Sequence, residues 1–224
     1  MQRAAVLLFV LLATHAALAG AGDARFVVRD VERVDAASLD LRLPVESGHD
    51  LVLGAVILEG SGWTRAEVLD GVAGMAGLLA QCGIRLARME LTRVAVPHDY
   101  LDLFTPRSRE LAADVMPRRP TLYFVRDTRQ RPAFDAEAVG RGNSRSRPEM
   151  ADSVWVTRAA PDLPVVLAHE LAHVLANSGA HVDLPGNLMR DASDPAHTHL
   201  TGAQCARIIE RGARHGLLVP SVAD

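Results

Sequence analysis

Hydrophobic positions along the chain follow two different periods. Asp50 to Leu58 (DLVLGAVIL) is a nearly unbroken apolar run of strand length, the pattern of a strand buried on both faces. From Gly62 to Ile84 (GWTRAEVLDGVAGMAGLLAQCGI) the period becomes helical, and Val68, Val72, Met75, Leu79 and Cys82 share one face. Thr64 followed by Glu67 has the form of a capping box, and Gly83 is a fitting stop. Ile84 to Val96 alternates in part and predicts another strand, and Arg25 to Val31 an extended segment. A short helix is expected over Arg107–Val115, and strands over Thr121–Asp127 and Ser153–Arg158. The irregular stretch before the last of these has room for a short edge strand near Ala138.

Asp162 can cap the next helix, with Pro164 in its first turn. The period carries this helix to about Asn177, and Gly179 is the expected left-handed stop, with Asn177 and Ser178 in the last turn. A final helix is expected from about Thr201 to His215. This order predicts an α+β fold with an α/β-like upper lobe. Helices pack on a twisted, mixed, mostly parallel sheet, and the C-terminal helix lies in a smaller lower lobe.

The first residues follow a different rule. MQRAAVLLFVLLATHAALAG has a basic start at Arg3, an apolar run from Ala4 to Ala13, and Ala17-Leu18-Ala19 in the form of a signal-peptidase site. Residues 1–19 therefore read as a signal peptide, and 20–224 as a single domain with room for a short pro-segment over residues 20–50. The apolar run is too short to span a bilayer well, so no membrane span is expected in the mature form. The expected location is outside the cytoplasm, secreted or periplasmic. Cys82 and Cys205 would then sit in an oxidising compartment, where a disulfide competes with two buried thiols as their state.

Composition narrows the function classes. Hydrophobic residues at 49% and charged residues at 23% describe a globular chain that can bury a core. A net charge of −3 gives no basic surface for nucleic acid. A monomer acting on a protein or peptide is the expectation.

The chemistry is concentrated in LPVVLAHELAHVLANSGAHVDLPGNLMRD, Leu163 to Asp191. His169-Glu170-Leu171-Ala172-His173 is HExxH, which on a helix projects both imidazoles from one face. By chance such a motif arises in only ~0.02 chains of this size and composition, so a core helix with two satisfied histidines is the weaker reading. Glu170 is placed to serve as general base to a water on a zinc ion's open side. A zinc site needs a further protein ligand. His181 is the nearest candidate and Asp183 its rival. His197 and His199 read more readily as surface or capping residues.

This stretch resembles the metzincin superfamily of zinc metallopeptidases, whose motif is HExxHxxGxxH followed by a turn containing methionine. The resemblance covers most of the mature chain in layout, and in sequence it is confined to His169–Met189. It implies zinc held by His169, His173 and His181, Glu170 as catalytic base, and a turn over Pro185–Met189 with Met189 packed beneath the metal. The chain departs from the pattern at two points. Ala176 stands where the superfamily has glycine, and His181 comes two residues late, which suggests a longer helix before the same ligand. The resemblance implies an exported metalloendopeptidase. The alternatives are a zinc amidase acting on a cell-wall or other non-protein amide, and a non-catalytic metal-binding module.

Overall fold

The computed structural model describes residues 25–39, 48–191 and 193–221. The expected signal peptide lies outside them, as do residues 20–24 and 40–47 of the expected pro-segment.

A parallel centre with antiparallel edges makes up the sheet. Strands β2 (His49–Leu58), β3 (Ile84–Ala95), β4 (Thr121–Phe124) and β6 (Ser153–Val156) run parallel. β1 (Val27–Asp35) pairs antiparallel with β3 at one edge, and β5 (Ala136–Val139) antiparallel with β6 at the other. The order is β1-β3-β2-β4-β6-β5.

The unbroken apolar run of β2 is explained by two cores. Leu53, Ala55 and Ile57 join the core that contains residues of helices α1 (Arg65–Leu79) and α3 (Leu163–Ala176). Val56 and Leu58 join a second core with α2 (Thr105–Val115), Tyr123 and Trp155. The Tyr123 and Trp155 rings stack with centroids 3.9 Å apart. With helices on both faces, β2 has no polar side to alternate. The result is the α+β arrangement of a mostly parallel, twisted sheet that the residue pattern predicts.

Thr64 forms the full capping box with Glu67 at the start of α1. Helices α1 and α3 approach closely through small residues. A Cβ on Gly71 would lie 2.4 Å from Leu163 Cδ2, and one on Gly74 2.7 Å from Pro164 Cγ. This contact seats the first turn of α3 against α1.

Several elements differ from expectation. Helix α2 starts two residues earlier, at Thr105, because Pro106 is tolerated in a first turn. Strand β4 stops at Phe124 because the chain then turns away, with Arg126 N donating to Leu101 O at 2.7 Å. A three-residue strand, β7 (Leu218–Pro220), was not expected; it pairs antiparallel with the start of β2. Helix α4 (Gly202–Arg214) carries its own capping box, Thr201 with Gln204. Cys82 and Cys205 are joined in a disulfide with Cα atoms 5.0 Å apart, tying the first turn of α4 to the turn that follows α1.

Candidate metal centre

Helix α3 begins as its residues dictate, with the Asp162 side chain accepting from Val165 N at 3.1 Å and Pro164 in the first turn. It ends earlier than expected. Asn177, not Gly179, takes the left-handed conformation, with φ 45°, and the last helical residue is Ala176. Asparagine accepts this conformation more readily than most residues because its short polar side chain bonds locally. Here Asn177 Oδ1 accepts from Gly142 N at 2.8 Å, which ties the helix end to the loop after β5. The helix is therefore not lengthened. The two extra residues before His181 lie in the loop that returns from it.

That loop brings His181 to the two helical histidines. Nε2 of His173 lies 3.0 Å from Nε2 of His169 and 3.1 Å from Nε2 of His181, and the third separation is 3.3 Å. The other ring nitrogens decide what these contacts are. Nδ1 of His169 lies 2.7 Å from Leu188 O, and Nδ1 of His173 lies 2.7 Å from Ser178 O. A carbonyl oxygen only accepts, so each Nδ1 carries the proton. Nδ1 of His181 faces Asp191 Oδ1 at 3.3 Å, which favours the same tautomer. Three Nε2 lone pairs thus point at one place with no proton between them.

Such an arrangement repels itself unless a cation lies at the centre. Tetrahedral coordination at ~2.0–2.1 Å separates donor atoms by about 3.3 Å, close to what is seen. Burial pushes the His173 imidazole down to about 4, helped by neighbouring His169, and burial likewise lowers His169. Both rings are neutral at ordinary pH, the form that binds metal. The three histidines thus form a group able to hold a metal ion, with each ring oriented from behind.

Glu170 lines a cleft of about 400 Å³ together with His173 and His181. Burial raises its carboxyl to about 7, against the opposing effect of a backbone hydrogen bond at Ala138. The opposite wall of the cleft is the edge strand: Ala136, Glu137 and Ala138 of β5 all line it.

The other candidates fall where the turn after α3 puts them. Met189 is buried in the main core, and Met189 O accepts from Val182 N at 2.9 Å. Asp183 is turned outward and pairs with Arg190 at 3.0 Å, apart from the three imidazoles. His199 contributes its backbone, with its carbonyl accepting from Leu188 N at 2.7 Å.

Residue patterns alone did not single out Asn187, Gln204, Asn177 or Asp191. Asn187 is buried, and its Oδ1 accepts from Met189 N at 2.9 Å and from Gln204 Nε2 at 3.0 Å. Its amide donates in turn to Gln204 Oε1 at 2.9 Å. This reciprocal pair clamps the turn whose Leu188 carbonyl orients His169. Gln204 also closes the capping box with Thr201 at the start of α4, so one side chain serves both the helix start and Asn187, 17 positions away.

No known family model matches the chain, and no curated protein matches it. Among solved structures, the chain is similar to metalloproteinase-II from Bacteroides fragilis, with a TM-score of 0.52 and 18% sequence identity. The match covers 76% of this chain and 56% of that one, so the chain spans little more than half the length of that protein. At this identity the likeness establishes a shared fold.

Proposed function

We propose that the protein is an exported zinc-dependent metallopeptidase of metzincin type, cutting within protein or peptide chains. The observation that carries this reading is the convergence of three proton-free Nε2 atoms beside a carboxylate in an open cleft. Three neutral imidazoles suit zinc, and the fold shared with a metalloproteinase agrees. His169, His173 and His181 would hold the ion. When bound, zinc supplies Lewis acidity that acidifies water and polarises a peptide carbonyl.

The chain's own groups perform the rest. Glu170 accepts a proton from the attacking water and returns it to the leaving amine nitrogen. A carboxyl raised to about 7 is matched to both halves of that transfer. β5 has β6 on one side and lies at the sheet edge, where an extended substrate can add as a further strand. The strand that would receive it is Ala136–Val139, which includes the Ala138 position that the residue pattern suggests, and the short helical turn Arg141–Asn143 follows it. An open cleft containing a half-buried acid argues against a purely structural metal, which needs neither.

The test is Glu170→Gln. Purified protein is expected to keep its metal, measured by elemental analysis, and to lose ~10²–10⁴-fold in kcat on a peptide substrate. Full activity in that variant would remove the reading. Activity on amide substrates of non-protein origin, with none on peptides, would replace it with the amidase.

A further inference from the structure

A second cavity, of about 270 Å³, opens on the other side of His173 from β5. It and the catalytic cleft share His173 and Ser178 as walls, so both meet at the metal centre. Its size is below the ~300–1,000 Å³ of sites that enclose whole small ligands, so it suits one side chain of a longer molecule. Val182, Met189 and Ile208 give it apolar walls.

One formally charged side chain lines this cavity: Arg207 of α4. No carboxylate lines it, and among the described residues Arg207 has no ion-pair partner. Glu210, one turn further along α4, is engaged by Arg214 at 2.6 Å instead. A guanidinium without a counter-charge, beside an apolar-walled cavity, is complementary to a chain of methylenes ending in a carboxylate.

We infer that this cavity receives the side chain next to the scissile bond and that Arg207 selects for glutamate there and against lysine. The inference rests on the peptidase reading. Apolar walls leading to the guanidinium favour a carboxylate carried on a side chain over a substrate's terminal carboxylate, and the test separates the two.

The experiment uses C-terminally amidated peptides that differ only in one residue flanking the scissile bond, glutamate, leucine or lysine, on each side in turn. On one side only, glutamate is expected to exceed lysine ~5–10-fold in kcat/KM, the scale of an exposed ion pair combined with like-charge rejection. Arg207→Glu should invert the ratio and Arg207→Gln should bring it close to one. The same series is measured as binding to Glu170→Gln by fluorescence anisotropy, where the ratio should persist. Discrimination in binding that Arg207→Glu reverses supports the pocket. Turnover without such discrimination, or a ratio untouched by either Arg207 variant, overturns the pocket and leaves the peptidase standing. Binding discrimination without turnover of any peptide overturns the peptidase alone. A preference seen only when the C-terminal carboxylate is left free overturns the side-chain assignment.

Discussion

His169 and His173 reach the three-histidine cluster by a different route from His181. The first two are buried, one turn apart on a helix, and each is oriented by a backbone carbonyl at 2.7 Å. His181 is exposed, arrives on a loop, and is oriented by an exposed carboxylate at 3.3 Å. The helical pair is thus preorganised by local geometry, and the third donor by where a loop happens to return. Metal affinity should depend on the two groups unequally, because a preorganised donor loses less freedom on binding than a loop-borne one.

The largest effect that can test this difference is removal of a donor. His173→Ala is expected to leave dialysed protein without measurable metal, whereas His181→Ala should retain weakened binding through the helical pair. Elemental analysis after dialysis against graded chelator distinguishes them. Equal loss from both variants would mean that the loop is as well organised as the helix.

The supporting groups should show the same inequality on a smaller scale. Asn187→Ala releases the turn that presents the Leu188 carbonyl to His169, and metal affinity is expected to fall ~10–100-fold. Asp191→Ala removes a longer and solvent-screened contact to His181, and its effect should lie at or below the low end of that range. Competition with a chromogenic chelator measures both.

The helix's seat is tested by Gly71→Ala. The added methyl meets Leu163 at 2.4 Å, and overpacking of this kind costs about 1–3 kcal/mol in chemical denaturation. Metal stoichiometry should not change, since the contact lies at the far end of α3 from His173.

The smallest effect is expected at the start of α1. Thr64→Ala removes the cap of α1 and should cost ~0.5–2 kcal/mol. Hydrogen bonds from the Thr64 side chain and backbone, and then from Arg158, hold the Glu67 carboxyl down at about 2, below its unfolded value of ~4.3. A depressed carboxylate contributes stability above its unfolded pKa and loses it as pH falls through the folded one. The wild-type melting temperature should therefore drop between about pH 4.3 and 2, and Thr64→Ala should make that drop shallower. Glu67 is at the surface, so the change is modest.

Much of this is legible in the sequence. The double burial of β2 follows from Leu51 to Leu58 lacking a polar alternate, and the α1 start from Thr64 and Glu67. The HExxH spacing is itself a statement about one helical face. The errors came where short-range signals competed. Gly179 and Asn177 both permit a left-handed stop, and the choice was made by Gly142, whose N–H bonds Asn177 from 35 residues away. Strand β7 is only three residues long and includes Pro220, too little for a periodic signal.

What the sequence determined by itself was local: the elements, the pairing of His169 with His173, and the acid between them. These follow from periods of two and 3.6 residues, which any stretch of chain carries within it. Only the tertiary structure decided which residue joins that pair, what orients it, and which cavity lies beside it. Along the chain His181 is the nearest candidate, and Asp183, two residues on, stays open as its rival. The loop return from Asn177 separates them, placing one imidazole among two others and turning the carboxylate out to Arg190. That outcome depends on contacts between α3, the loop after β5 and the start of α4, which no local period encodes.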